Sequence, residues 1–66
     1  MTAYSVTVRR RGVPRFDVRL LVGADSREAA GEIAAGIAEL RHGGMFETRR
    51  IRRTTPPRAA VFDAVA

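Results

Sequence analysis

The chain has no cysteine and no lysine, a single histidine, two serines, four aromatic residues and no long apolar run. Without cysteine there is neither a disulfide framework nor a thiolate metal site. One histidine and two serines do not supply a nucleophile, a base and an orienting group, so no catalytic residue is assigned and an enzyme is not expected. Asp17, Asp25 and Asp63 fall in separate segments, and the glycines at 12, 23, 31, 36, 43 and 44 match no phosphate-binding spacing; no metal site and no cofactor are expected. His42 reads as a cation near a helix C-terminus or as a surface residue. The LLVGA stretch at 20–24 is far too short to span a bilayer, and nothing in MTAYSVTVRR resembles a charged-then-apolar signal peptide. These absences point to a soluble cytoplasmic protein with no membrane partner.

What is present is arginine. All 12 basic residues are Arg, a choice that accords with codon bias in a GC-rich bacterial genome or its phages and plasmids. Charge is unevenly placed. Residues 1–23 carry five Arg and one Asp, residues 24–47 two Arg and five acids, and residues 48–66 five Arg and one Asp. The order is basic, acidic, basic, and it follows the expected order of strand, helix and strand.

The helix comes from Asp25 to Leu40, the one stretch with a strong helical period. At about 100° per residue, Ala30, Ile33, Ile37 and Leu40 share a narrow face opposite Glu28, Glu32 and Glu39. Asp25 and Glu28 have the spacing of a capping box, and Arg41, His42 and Gly43 suit the far end, so the pattern predicts a helix from Ser26 to about His42. Gly31 and Gly36 cost it about 0.5–1 kcal/mol each relative to Ala, so it needs a sheet beneath it.

Tyr4, Val6 and Val8 alternate with Ser5, Thr7 and Arg9, which predicts a first strand over about Ala3 to Arg10. Arg11 to Pro14 connect it to a second strand, with Phe16, Val18, Leu20 and Val22 facing one way and Asp17, Arg19 and Leu21 the other. Met45 to Arg53 reads as a third strand. Phe46 and Ile51 cannot both point inward there without a bulge at Arg49 and Arg50. Thr54 to Pro57 stop it. The tail RAAVFDAVA reads either as a short helix started by the prolines or as a last strand, the helix being favoured.

These elements compose an α+β fold, a small ββαβ domain over residues 1–55 followed by a proline-started tail over 56–66. The right-handed crossover rule gives a three-stranded antiparallel sheet of order 2-1-3, with one helix packed on one face. The other face shows Ser5, Thr7, Arg9, Asp17, Arg19, Leu21 and part of the RRIRR run, and no remaining segment is long enough to cover it fully. At this length a domain buries only about 60% of its unfolded surface. With an open face and an apolar tail, a homodimer is expected.

Two arginine clusters converge in this arrangement. Arg9, Arg10, Arg11, Arg15 and Arg19 come from the hairpin, and Arg49, Arg50, Arg52 and Arg53 from the third strand, while the helix turns its glutamates away. A molecule so polarised orients in the field of a polyanion. Charged strands also block edge-to-edge aggregation, and that reading of the arginines stays open. Tyr4, Phe16 and Phe46 are needed for the core, which leaves no stacking platform for single-stranded bases, so duplex DNA or structured RNA is the expected nucleic acid.

A hairpin, then A-D-S-x-E-A at Ala24 to Ala29, then an arginine-rich strand at Arg49 to Arg53 resembles the small ββαβ domain of archaeal ribosomal protein LX. The resemblance covers roughly residues 4–53 and implies contacts with ribosomal RNA; it assigns no functional residue. The D-S-x-E-A opening is also similar to that of HicB-type antitoxins, whose proline-glycine segment after the second strand is absent here. The function expected from the residues is that of a basic, non-enzymatic, sequence-tolerant nucleic-acid-binding accessory protein of a phage or mobile element. The alternative is a protein-interaction module, an inhibitor or antitoxin-like partner, acting through its open sheet face or its acidic helix.

Overall fold

The computed structural model describes residues 1–66. In chain order the elements are β1 (Thr2–Arg10), β2 (Asp17–Ala24), α1 (Arg27–His42), β3 (Phe46–Arg53) and β4 (Ala64–Val65). No helix is long and apolar enough to cross a membrane.

Alternation in β1 sends Tyr4, Val6 and Val8 to the buried side, and the antiparallel register with β2 sets Val6 opposite Leu20 and Tyr4 opposite Val22. The hairpin loop is longer than expected, with Phe16 still in it. Turns close through Val13 N–H to Arg10 O and Phe16 N–H to Val13 O, and both Gly12 and Arg15 take positive φ. For Arg15 that is an uncommon conformation for a side chain with a Cβ.

In β3 the pairing with β1 runs Val8 to Thr48 and then Thr7 to Arg50, which leaves Arg49 as the extra residue of a bulge. The bulge resolves the parity conflict read in the sequence. Phe46 is buried, and Ile51 packs half-buried against the same core. Beyond the strand, Thr54 donates to Ala3 O and prolongs the pairing with β1.

The helix is capped one residue later than its sequence suggests. Ser26 sits in extended conformation and its Oγ accepts from Ala29 N–H, so the expected Asp25–Glu28 box does not form. Ser and Asp are equally good caps, and Ala24 is still held in β2, which moves the helix start along by one. At the other end Gly43 takes a positive φ of 73°, as a glycine readily does, but with ψ 169° rather than the expected left-handed helical conformation, and its N–H donates to Glu39 O.

The buried face of α1 also differs from the expected one. Ala30, Gly31, Ala34 and Ala38 are buried, Ile33 and Ile37 are half-buried, and Leu40 is 85% exposed. Apolarity ranks Ile and Leu above Ala, but the sheet presents the bulky Val6, Val8, Leu20 and Val22, and a ridge of alanines lets the helix come close to them. Gly31 permits a close approach. A Cβ there would stand 3.2 Å from both Ile51 Cδ1 and Thr48 Oγ1 on β3.

The tail forms a strand. β4 pairs parallel with β2, Val22 opposite Ala64 and Gly23 opposite Val65, so the expected three-stranded antiparallel sheet and C-terminal helix give way to a four-stranded mixed sheet of order β3-β1-β2-β4. Asp63 secures the join. Its N–H donates to Leu21 O, and its carboxylate accepts from Leu21 N–H at 2.7 Å and from Arg41 at 3.1 Å. A helix in so short a tail would carry the full cost of nucleation for few internal bonds, whereas the free edge of β2 offers ready-made partners. The apolar tail, one of the two reasons to expect a homodimer, pairs with its own sheet through Ala64 and Val65 but leaves the Val61 and Val65 side chains exposed.

Candidate nucleic-acid interface

One face of the sheet carries the helix; the other carries none. Strand parity and register arrange that open face in three cross-strand tiers. At the hairpin end Arg9 lies between Asp17 and Glu47; in the middle Thr7 lies between Arg19 and Arg50; next comes Ser5 between Leu21 and Arg52. The bulge at Arg49 makes this possible, because it lets Arg50 and Arg52 face outward while Phe46 and Ile51 face the helix.

The tiers differ in charge balance. Arg9 makes a two-pronged ion pair with Asp17, Nε to Oδ1 at 2.7 Å and the second nitrogen to Oδ2 at 3.2 Å, and Arg11 stands 3.9 Å from Glu47. That end is largely neutralised. The other two tiers contain no carboxylate. Arg19, Arg50, Arg52 and Arg53 surround a depression of about 280 Å³ whose remaining lining is Ser5, Thr7 and Thr54. None of these four arginines makes an ion pair, since the only three in the protein involve Arg9, Arg11 and Arg41.

Of the nine arginines singled out by sequence, four therefore converge and five do not. Arg9 is committed to Asp17 and Arg11 leans toward Glu47. Arg10 lies over the Phe16 ring, 5.7 Å from its centroid, with its guanidinium against Gly44. Arg15 belongs to the hairpin loop and Arg49 to the bulge. The expected convergence of both clusters on one site is corrected to Arg19, Arg50 and Arg52 on the outward side of β2 and β3, joined at the strand end by Arg53, which stands opposite Tyr4; Arg9, Arg10 and Arg11 find partners close to where they arise, and Arg15 stays in the hairpin loop.

Ser5, Thr7 and Thr54 complete the lining and lie outside any arginine pattern. The signal for the first two is parity alone, as the outward residues of β1. No family model, curated protein or solved structure matches the chain. The geometry of the site accordingly carries the functional argument by itself.

The opposite surface is acidic at the helix start, where Asp25, Glu28 and Glu32 are exposed. Glu39 is not part of that surface, because its Oε2 accepts from Phe46 N–H at 3.1 Å and ties the helix end to β3. Near it Phe16, His42 and Phe46 form an edge-packed aromatic group with centroids 5.4–6.0 Å apart.

The Arg9–Asp17 pair gives a titration that can be read directly. The hydrogen bond from Arg9, with its charge and that of Arg49 adding to it, holds the Asp17 carboxyl below the usual aspartate range against an opposing desolvation. A depressed folded-state value means that the pair stabilises the fold above the unfolded aspartate pKa of about 3.9 and ceases to do so as pH falls through the lower folded value. A carboxyl-detected NMR titration should show the low midpoint in the native protein and its return to the ordinary range in Arg9→Gln. An ordinary midpoint in the native protein would mean that the pair is not formed in solution.

Proposed function

We propose that the protein is a non-enzymatic module that holds the phosphate backbone of duplex DNA or structured RNA on its open sheet face, with little regard for base sequence. The observation that carries this reading is the convergence of Arg19, Arg50, Arg52 and Arg53 around one polar depression with no carboxylate to neutralise them. Guanidinium forks match phosphate oxygens, and contacts of that kind position a protein without reading bases. No aromatic side chain lines the depression, so there is nothing on which to stack a splayed base. Glu28 and Glu32 on the helix and Asp25 just before its cap lie on the other side of the sheet and orient the basic face toward a polyanion.

Fluorescence anisotropy with labelled duplexes over a range of salt tests the reading. Four engaged arginines correspond to a log–log slope of about −3.6 against salt, and duplexes of unrelated sequence should bind alike. Absence of binding to duplex DNA and structured RNA at about 50 mM salt, where non-specific association is strongest, would eliminate the proposal and leave the protein-interaction alternative.

A further inference from the structure

The depression is built of two chemistries, arginine and hydroxyl, and a phosphate uses both only as donors. Its arginines are pure donors, and phosphate oxygens are pure acceptors, so guanidinium alone accounts for backbone charge. The remaining three lining residues, Ser5, Thr7 and Thr54, are all hydroxyl-bearing. A hydroxyl both donates and accepts. None of these three side chains makes a hydrogen bond within the protein, where the side-chain hydrogen bonds of serine and threonine come from Ser26 and Thr48.

Resting on the phosphate-binding reading, we infer that the ligand of this face is RNA rather than DNA, and that Ser5 and Thr7 meet ribose 2′-hydroxyls between the phosphates held by the flanking arginines. Ser5 and Thr7 stand two residues apart on the central strand, roughly 7 Å, with the arginine-bearing strands about 4.8 Å to either side. Polar floor and charged rim thus alternate on the scale of a sugar between its phosphates. An A-form helix displays its 2′-hydroxyls in a wide, shallow minor groove that a sheet face can approach. The minor groove of B-DNA is about 6 Å wide and 7.5 Å deep, so the same face would touch its rims and miss its floor. Where DNA covered the half-buried hydroxyls, its oxygens would accept from them but its sugar has no hydroxyl to fill their acceptor side, which the RNA 2′-hydroxyl does.

The experiment compares one sequence as three duplexes, RNA, DNA and 2′-O-methyl RNA, at a single salt concentration. The expected result is RNA tighter than DNA by roughly tenfold, the scale of one or two net hydrogen bonds. The 2′-O-methyl duplex keeps the A-form but cannot donate from the 2′ position, and its affinity should fall to that of DNA. Ser5→Ala combined with Thr7→Val should remove most of the RNA-over-DNA affinity ratio, while the salt slope, which counts arginine–phosphate contacts, should hold. Circular dichroism checks that this variant folds, and the modified-duplex comparison needs no variant. Equal affinity for RNA and DNA overturns the inference and leaves the phosphate reading intact. Equal affinity for RNA and its 2′-O-methyl form, both above DNA, also overturns it, because shape alone would then explain the preference. Failure of all three to bind defeats the underlying proposal.

Discussion

Leu20→Ala should leave no cooperative unfolding transition at all. Leu20 is 1% exposed and belongs to the group of largest fully buried side chains, with Val6, Val8 and Val22. Truncating a buried leucine costs about 2–5 kcal/mol, the upper end applying where neighbours cannot close the hole. Here closure is limited, because the buried helix residues Ala30, Gly31, Ala34 and Ala38 have no side-chain reach and Ile33 and Ile37 stand only at the half-buried flanks. A core in a chain this short rarely supplies more than about 3–5 kcal/mol, and only 12 of the 66 residues are buried, so the loss consumes most or all of the stability. Urea titration followed by far-UV circular dichroism should show a sloping baseline in place of a sigmoid. Leu40→Ala provides the contrast, since at 85% exposure its midpoint should stay within about 0.5 kcal/mol of the parent. A Leu20→Ala protein that melts like the parent would mean that the core lies elsewhere.

The same contrast shows what could be read from the residues. Alternation in β1 and β2, the Gly43 stop and the bulge were legible because each is a local signal, a period of two, a glycine after a helical run, or two apolar residues at incompatible spacing. The helix face was not legible from hydrophobic ranking, because burial there follows the bulk of the facing sheet, and alanine wins by being small. The tail was not legible either. Its strand depends on Asp63 meeting Leu21, 42 positions away, and no local propensity encodes such a meeting. In the candidate site, the parity of Arg19 and, given the bulge, of Arg50 and Arg52 could be anticipated. That Arg9 would be neutralised could not, because it depends on the hairpin register that sets it beside Asp17.

Replacing Arg19, Arg50, Arg52 and Arg53 together by Gln should abolish most of the salt dependence of duplex binding. Each guanidinium engaged with a phosphate releases condensed counterions, so removing four contacts should take a slope near −3.6 to a value close to zero. By the same relation, a parent protein with that slope loses about a hundredfold in affinity between 50 and 200 mM salt, and the variant should be nearly flat over the same interval. The four side chains are exposed and bear on no buried group, so the fold should survive. Arg9→Gln is the informative comparison. Its guanidinium is already satisfied by Asp17, so it displaces no counterion on binding and its loss should move the slope by less than one unit. Glu28→Gln with Glu32→Gln should leave the slope unchanged and tighten binding slightly, because these carboxylates touch no ligand and only repel it from a distance; Glu39 is spared because it holds Phe46 N–H. A quadruple variant that keeps the parent slope would move the phosphate contacts to the hairpin end, where Arg11, Arg15 and Arg49 are the arginines least committed to partners within the chain.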